Sequence, residues 1–376
     1  MKKRILIVSI IVLIIFISIM GMNYNTNNTK TFTQDGVTYA LTLDGASVNN
    51  FPSKGMYRVD VECTNATGKW LYDEWKLAVE NINGTNATCD VDFVTINKTY
   101  INTYITSLSR QTQGDGQVVN ENGYRYEGKN PNNYVWFNNE LWRIIGVFDS
   151  ASHGQSGKNL VKIIRVDSIG GLAWHKSDTN DWTAASLMNL LNGAYLNAQN
   201  GTDSGYCYGH SNVSSVCDYT IIGINSIFRS MIANVTWYLG GYSSNSATTA
   251  EAFYGYERGT TVYSGRPTEW EGKIGLMYPS DYGYSVLSSS CARTTNLSSY
   301  NTCAGESWLY LGSYEWTLTP NSSYSYCGAG MSRDGGLAYC VYSYAGYSVR
   351  PVLYLDSSVY VIDGNGTMSD PYIIGM

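Results

Sequence analysis

The most strongly apolar segment of the chain, residues 5–22, contains no charged side chain and follows the basic residues 2–4. Its length lies at the lower end of the roughly 17–25 residues that cross a bilayer as a helix, and exceeds the roughly 7–15 of a cleavable signal core. Residues 19–22 do not show the small-x-small pattern of a cleavage site. The pattern favours an uncleaved transmembrane helix over residues 1–22, with its basic end inside. A cleaved signal peptide is the alternative, and either one exports the rest of the chain.

Alternation of apolar and polar residues predicts a small β module at residues 36–95, after a polar spacer at residues 23–35. The alternation is clearest between Tyr57 and Cys63, where every second side chain is apolar, as a strand with one buried face requires. Four strands are predicted, at residues 37–43, 57–63, 75–80 and 89–94. A unit of this size buries little core, so we expect a disulfide between Cys63 and Cys89 to staple it.

A connector at residues 96–122 leads to a larger domain at residues 123–376. Apolar residues at helical spacing predict a short helix in the connector; they are Ile101, Tyr104, Ile105 and Leu108. The larger domain opens with a β-hairpin, because apolar segments flank Asn138 and Asn139, and asparagine tolerates the positive φ of a tight turn. A further strand is predicted at residues 160–165.

Two helices are predicted next. Asp181 can cap the first, whose apolar side chains recur at helical spacing between Leu187 and Tyr195. The second is a continuous apolar stripe between Ile224 and Val235, which ends near two glycines. Short strands follow at residues 273–277, 315–319, 337–342 and 349–356 and from residue 360. The order of strands, two helices and strands indicates an α+β domain rather than a parallel doubly wound sheet.

Several motifs of the larger domain occur in an order that resembles a widespread family of uncharacterised bacterial surface domains. They are Trp-Arg-Ile-Ile-Gly at 142–146, Trp182 with residues 186–187 and 191–195, Lys-Ile-Gly-Leu-Met at 273–277, residues 315–320, and Val-Arg-Pro-Val-Leu-Tyr-Leu at 349–355. The resemblance covers about residues 130–356. It implies a C-type-lectin-like or sulfatase-modifying-factor-like fold, and it implies no known activity.

The resemblance does not extend to the calcium-binding and catalytic motifs of those folds. The sequence lacks the acidic-Pro-Asn and Trp-Asn-Asp motifs that hold calcium in sugar-binding C-type lectins. It also has no convincing counterpart of the reactive cysteine pair of formylglycine-generating enzymes. Calcium-dependent sugar binding is therefore not expected, and no metal or other cofactor is predicted.

Eight cysteines lie in the exported part of the chain, and an even number there is typical of a disulfide framework. Spacing along the sequence favours pairing between neighbours: Cys63–Cys89, Cys207–Cys217, Cys291–Cys303 and Cys327–Cys340. Other connectivities and buried free thiols stay open, because spacing alone does not fix the pairing. Zinc binding is disfavoured, since the sequence has no Cys-x-x-Cys pair and its three histidines are scattered.

Composition narrows the function classes. Charged residues make up only 14% of the chain and its net charge is −6, so nucleic acid, which needs clustered cations, is not an expected partner. The small number of histidines and the absence of a Gly-x-Ser-x-Gly motif argue against an enzyme. An envelope glycosidase is the least favoured hypothesis, and it would use carboxylates that lie near aromatic residues. These are Glu269, Glu271, Asp281 and Glu315.

Tyrosine, serine and glycine dominate residues 282–347. Loops of this composition suit recognition, because tyrosine offers a large contact area and a polar tip at low entropic cost. The residues predicted to bind a ligand are Tyr314, Trp316, Tyr324, Tyr326 and Tyr344. The alternative is purely structural, because tyrosine is also favoured in strands, and serine and glycine in turns.

Together these patterns predict a single-pass protein of the cell membrane whose bulk is extracytoplasmic and whose task is adhesion or ligand binding, without catalysis. Its expected partners are the membrane, through the N-terminal helix, and a glycan or a surface protein. A structural subunit of the cell envelope or of a pilus-like assembly is the alternative, since the same surfaces would then make protein–protein contacts.

Overall fold

The computed structural model describes residues 22–23, 31–34, 37–72, 74–81, 87–201, 207–210, 214–215, 217–243 and 248–376. The chain divides into two units, one up to Lys98 and the other from Thr99. Residues 1–21, which carry nearly all of the predicted transmembrane helix, lie outside the described residues. Within the described ranges, no helix is both long enough and apolar enough to span a membrane.

The first unit is built of strands, and two of them lie within or at the edge of the predicted spacer. The strands are β1 Met22–Asn23, β2 Thr31–Gln34, β3 Val37–Leu43, β4 Ala46–Ser47, β5 Tyr57–Thr64, β6 Ala66–Leu71, β7 Lys76–Asn81 and β8 Ala87–Thr95. One sheet has the order β1-β2-β3-β8-β5, with β4 paired to β3, and β6 and β7 form a separate hairpin. β3 and β8 run parallel, and β5 and β8 run antiparallel.

Alternation decides which face of this sheet is buried. Every second residue of β8 is buried from Ala87 to Phe93, while the residues between them are exposed or half-buried. Trp70 packs edge-on against Phe93, with 5.0 Å between ring centroids, so the β6–β7 hairpin covers the buried face. Cys63 and Cys89 stand opposite each other in β5 and β8 and are disulfide-bonded. All four predicted disulfides are confirmed.

The second unit contains two large sheets. Its strands are β9 Thr99–Tyr100, β10 Asp115–Asn120, β11 Tyr124–Asn130, β12 Tyr134–Phe137, β13 Glu140–Phe148, β14 Leu160–Arg165, β15 Gly171–Ala173, β16 Cys207–Tyr208, β17 Ser214–Ser215, β18 Val235–Tyr238, β19 Glu269–Gly272, β20 Ile274–Gly275, β21 Glu315–Pro320, β22 Cys327–Met331, β23 Leu337–Tyr342, β24 Gly346–Ser348, β25 Val352–Leu355, β26 Tyr360–Asp363 and β27 Tyr372–Gly375. The ten-stranded sheet has the order β20-β25-β14-β13-β12-β27-β26-β9, with β11 paired to β13 and β10 to β11. The five-stranded sheet has the order β15-β24-β21-β22-β23.

Helices in the second unit are short. They are α1 Ile101–Ser107, α2 Ser150–His153, α3 Ser186–Leu190, α4 Ser226–Arg229, α5 Ala250–Glu257 and α6 Pro279–Gly283, with 3₁₀ segments at Trp182–Ala184, Leu297–Thr302 and Ala304–Glu306 and a π turn at Leu191–Tyr195. The helix predicted in the connector is present as α1. The first helix predicted in the larger domain is present in three pieces, and Asp181 caps it by accepting a hydrogen bond from the backbone N–H of Thr183 at 3.0 Å.

The predicted α+β class, with a C-type-lectin-like mixed module, is wrong: strands take 40% of the structure and helices 16%. One cause is the stripe from Ile224 to Val235, which forms a single turn, α4, before β18 begins. Isoleucine and valine are stiff at χ1 and favour strands over helices. The stripe nevertheless buries Ile224, Phe228 and Ile232 in the core from a largely irregular backbone. The apolar spacing of this stripe therefore reflects burial of its side chains and not a helical backbone.

The predicted hairpin is confirmed. β12 and β13 pair antiparallel, and Asn138 and Asn139 form the two-residue turn between them with φ of 58° and 61°. Positive φ at both central residues is typical of a type I′ turn, whose twist matches that of the flanking strands. Asn138 also accepts a hydrogen bond from the backbone N–H of Asn225 at 2.7 Å. The turn therefore anchors the segment that leads into α4.

Asn139→Ala should destabilise the protein by about 1 kcal/mol, because a residue with an ordinary Cβ is disfavoured by roughly 1–2 kcal/mol in the left-handed conformation that asparagine tolerates. Asn139 is exposed, so the change removes little packing. Asn139→Gly is the matched control and should keep the wild-type stability, since glycine adopts positive φ freely. Urea unfolding followed by tryptophan fluorescence compares them. Equal stability of the alanine and glycine variants would contradict the assigned turn.

Candidate functional site

Four tyrosines form a row on the surface of the second unit. Ring centroids are 5.5 Å apart between Tyr324 and Tyr326, 5.4 Å between Tyr326 and Tyr342, and 5.4 Å between Tyr342 and Tyr344. The exposed His210 continues the row beyond Tyr344, at a centroid distance of 6.0 Å. Tyr324 is 43% exposed and Tyr342 is 50% exposed, so the tyrosine row offers aromatic surface and hydroxyl groups to solvent.

Two neighbouring strands bring the tyrosine row together. Tyr326 directly precedes β22, and Tyr342 is the last residue of β23, where it stands opposite Cys327. A disulfide between Cys327 and Cys340 joins the same two strands. The backbone N–H of Ser343 donates to the carbonyl of Tyr326 at 3.0 Å, which extends the pairing beyond the end of β23. Two segments that are distant in the sequence are thereby placed side by side.

Asn180 holds the loop that carries one end of the row. Its buried carboxamide nitrogen donates to the carbonyl oxygens of Asn321, Tyr324 and Cys327, at 2.8, 2.9 and 2.9 Å. Its Oδ1 accepts a hydrogen bond from Nε of Arg266 at 3.3 Å. One side chain thus supplies donors to backbone acceptors at both ends of the loop, where the backbone N–H of Asn321 also donates to the carbonyl of Cys327 at 3.0 Å.

Further hydrogen bonds fix both segments of the row. Oδ1 of Asn321 accepts from two successive backbone N–H groups, the second of which is that of Tyr324 at 3.1 Å. Oγ of Ser343 donates to the carbonyl of Ser177 at 2.8 Å and accepts from the backbone N–H of Thr179 at 3.2 Å. Residues 177–180 therefore brace both segments. A surface fixed in advance loses little conformational entropy when it binds.

The predicted ligand-binding residues do not form one group. Three of them belong to the tyrosine row: Tyr324, Tyr326 and Tyr344. Tyr314 is exposed, but it directly precedes β21, whereas the loop that carries Tyr324 follows the other end of that strand. The ring of Tyr314 lies 5.0 Å from that of Tyr347. Trp316 is 1% exposed, and its indole N–H donates to the carbonyl of Leu172 at 2.8 Å. Trp316 is therefore part of the core and not of a surface.

The sequence-based prediction omits Tyr342 and His210. Tyr342 belongs to the row because β22 pairs with β23, and that pairing is not visible in composition. A signal was nevertheless present, because Tyr-Ser-Tyr occurs twice, at residues 324–326 and 342–344. These two repeats flank the bridge between Cys327 and Cys340, so the disulfide predicted from spacing would have brought the repeats together.

A second group of reactive side chains lies in the core of the same unit. Asp281 accepts hydrogen bonds from Nζ of Lys162 at 2.5 Å and from Nη1 of Arg125 at 2.9 Å, and all three side chains are buried. Glu315 is likewise buried, in an ion pair with Arg350 at 2.6 Å. Two of the four carboxylates of the glycosidase hypothesis are thus enclosed with cations, which does not favour an open polysaccharide cleft.

Comparisons of the chain with protein-family models, with curated proteins and with solved structures found no match. The resemblance to bacterial surface domains stays a prediction from the sequence motifs.

Asn180→Ala should lower the free energy of unfolding by at least about 2 kcal/mol, because the carbonyl oxygens of Asn321 and Tyr324 lose a donor and each unsatisfied buried group costs roughly 1–3 kcal/mol. The carbonyl of Cys327 keeps the backbone N–H of Asn321. Asn102→Ala is the matched control, since that carboxamide also donates to a carbonyl, that of Asn159 at 2.7 Å, but at an exposed position. Urea unfolding measures both variants, and limited proteolysis reports opening of the loop at residues 321–326. An Asn180 variant as stable as the Asn102 variant would show that the loop does not depend on this clamp.

Proposed function

We propose that this protein is a non-enzymatic, extracytoplasmic adhesion or ligand-binding protein, and that the tyrosine row is its binding surface. The observation that carries the proposal is the row itself: four adjacent tyrosine rings at the surface, on a loop and a turn braced by buried hydrogen bonds. Exposed aromatic residues of this density, with their backbone fixed in advance, are typical of recognition surfaces.

The chemistry of tyrosine suits a partner that is polar at its edges and apolar on its faces. The ring contributes apolar area and a quadrupole, and the hydroxyl both donates and accepts hydrogen bonds. Sugar rings and extended polypeptides both present C–H groups next to hydrogen-bonding groups. A glycan or a surface protein is therefore the proposed class of ligand.

The disulfides support a location outside the cytoplasm. Four bridges are formed, and the described part of the chain leaves no cysteine unpaired. Such bridges persist in oxidising compartments and are rare where thiol reductants are abundant. One of them, Cys327–Cys340, directly supports the tyrosine row, so the proposed binding surface and the proposed compartment depend on the same chemistry.

A structural subunit of the cell envelope or of a pilus-like assembly is the second candidate. The observation in its favour is Ile221, which is 91% exposed, with Ile227 half exposed in the same segment. Contiguous exposed apolar area marks protein contacts whereas single exposed side chains are ordinary, so the deciding question is whether Ile221 takes part in self-association. Self-association of the purified protein that is lost in Ile221→Ser, measured by light scattering, would favour this candidate over ligand binding.

A variant carrying both Tyr324→Ser and Tyr344→Ser should bind a glycan or protein ligand at least about tenfold more weakly than the wild type, since truncation of a central interface tyrosine commonly costs more than about 1 kcal/mol. The measurement is a glycan array followed by titration of the best glycan, using residues 22–376 so that β1 and β2 are kept.

Tyr100→Ser is the matched control, because Tyr100 has the same exposed fraction as Tyr324 but lies in β9 of the other sheet. It should bind like the wild type. Equal binding by the row variant would exclude the tyrosine row as the site. No binding of the wild type to any glycan would remove carbohydrate adhesion and leave protein partners, including the chain itself.

A further inference from the structure

Lys162 and Asp281 are enclosed together in the core of the second unit. Nζ of Lys162 lies 2.5 Å from Oδ2 of Asp281, and both side chains are 1% exposed. Nζ also lies within 5.8 Å of four aromatic ring centroids, those of Phe148, Trp237, Tyr278 and Tyr354. An amine and a carboxyl group are therefore held in contact, shielded from bulk water by aromatic rings.

The carboxyl group of Asp281 is polarised by donors on both oxygens. Nη1 of Arg125 donates to Oδ1 at 2.9 Å, and the backbone N–H of Tyr278 donates to Oδ2 at 2.9 Å. Fixed donors of this kind stabilise the negative charge that grows on oxygen when a nucleophile adds to the carbon. The environment of Asp281 thus suits addition to its Cγ.

A proton can pass from the ammonium group of Lys162 to the carboxylate of Asp281 without a solvent molecule between them. Burial lowers the pKa of Lys162 to about 8. Burial alone would raise the pKa of Asp281, but Lys162 and Arg125 outweigh it and hold that pKa at about 2. These pKa values make the ion pair the main form. Transfer of one proton along the contact gives a minor form with a neutral amine and a carboxylic acid, which a low-dielectric interior makes accessible. A neutral lysine amine is a nucleophile.

We propose that Lys162 and Asp281 become joined by an intramolecular amide bond. Nζ of the neutral amine attacks Cγ of the protonated carboxyl group, and a bond forms between nitrogen and carbon. The bond from Cγ to the hydroxyl oxygen then breaks. Nitrogen gives up one proton, the hydroxyl group takes it, and the product is a secondary amide and one water molecule. The reaction needs no oxidant, reductant or cofactor.

Glu257 holds the helix turn that carries Asp281. Its fully buried carboxylate accepts hydrogen bonds from the backbone N–H and from Oγ of Ser280, the residue before Asp281, at 2.9 and 2.5 Å. Burial raises the pKa of Glu257 to about 7, although Arg258, whose Nη1 lies 3.1 Å from Oε2, acts against this shift. We assign Glu257 as a positioning residue that, through Ser280, fixes the turn that presents Cγ of Asp281 to Nζ of Lys162.

The amide would join β14, inside the ten-stranded sheet, to α6. The two residues are 119 positions apart in the sequence. A covalent link over such a distance restricts the unfolded chain far more than the folded one, as a disulfide does. Unlike the four disulfides, it would resist reduction.

Mass spectrometry of the full chain tests the proposal. After complete reduction of the disulfides, the wild type should be lighter than its sequence by one water, and a tryptic digest should contain a linked pair of peptides that carry Lys162 and Asp281. The proposal would be overturned if, after prolonged incubation of the folded protein at neutral pH, the chain had the full mass of its sequence and the two peptides were separate.

Three variants separate the roles. Lys162→Arg keeps a cation beside Asp281 but has no amine nucleophile, and it should show the full mass. Asp281→Asn should lose ammonia instead of water if the same nitrogen attacks the same carbon. Glu257→Gln should slow the loss of water while circular dichroism remains native. Loss of water at the wild-type rate in Glu257→Gln would overturn the role of Glu257, and loss of water in Lys162→Arg would overturn the assignment of the bond.

Discussion

A charge that leaves water must be compensated within the same small volume by an opposite charge or by hydrogen bonds, and the core of the second unit meets this constraint at several points. Arg350 and Glu315 meet in its core, and Asp281 meets both Lys162 and Arg125. Each contact joins parts of the chain that are distant in sequence, so it fixes where strands and loops come together. Aromatic rings lie over Lys162 and Arg125 and keep them dry, which makes any unpaired arrangement there costly.

Neutral polar groups follow the same rule in the loops. A mostly β protein with many short strands leaves backbone groups without a strand partner, and buried or half-buried asparagines replace that partner. Asn180 serves three carbonyl oxygens, and Asn192 accepts hydrogen bonds from the backbone N–H groups of Lys273 and Ile274 at 3.2 and 3.0 Å. The abundance of asparagine is thus partly an adaptation of the interior. In the loop that carries part of the tyrosine row, asparagine side chains make the hydrogen bonds that strand pairing makes elsewhere.

Local features of the fold could be predicted from the sequence, and features set by distant contacts could not. The Asn138 and Asn139 turn, the strand at residues 160–165 and the cysteine pairs all depend on neighbouring residues. The stripe from Ile224 to Val235 has the spacing of a helix, but within the folded core it forms one helical turn and the start of a strand. This is one reason why the predicted fold class was wrong.

In the candidate site, too, local features could be predicted from the sequence and features set by distant contacts could not. Composition identified the region rich in tyrosine, but burial of Trp316 and the adjacency of Tyr326 and Tyr342 follow from sheet pairing. The contact between Lys162 and Asp281 also lay beyond prediction, because nothing in either local sequence points to the other.

The position of β27 gives the second unit an order of assembly. This strand, formed by Tyr372–Gly375, lies between β12 and β26, and it pairs in parallel with β12, where Tyr372 stands opposite Val135. Synthesis delivers residue 135 long before residue 372, so one edge of β12 has no native partner in the interval. Parallel pairing over such a distance is slow, and an open strand edge is a template for wrong partners. The ten-stranded sheet can therefore close only after its latest strand has arrived, and until then the chain depends on being kept apart from its own copies.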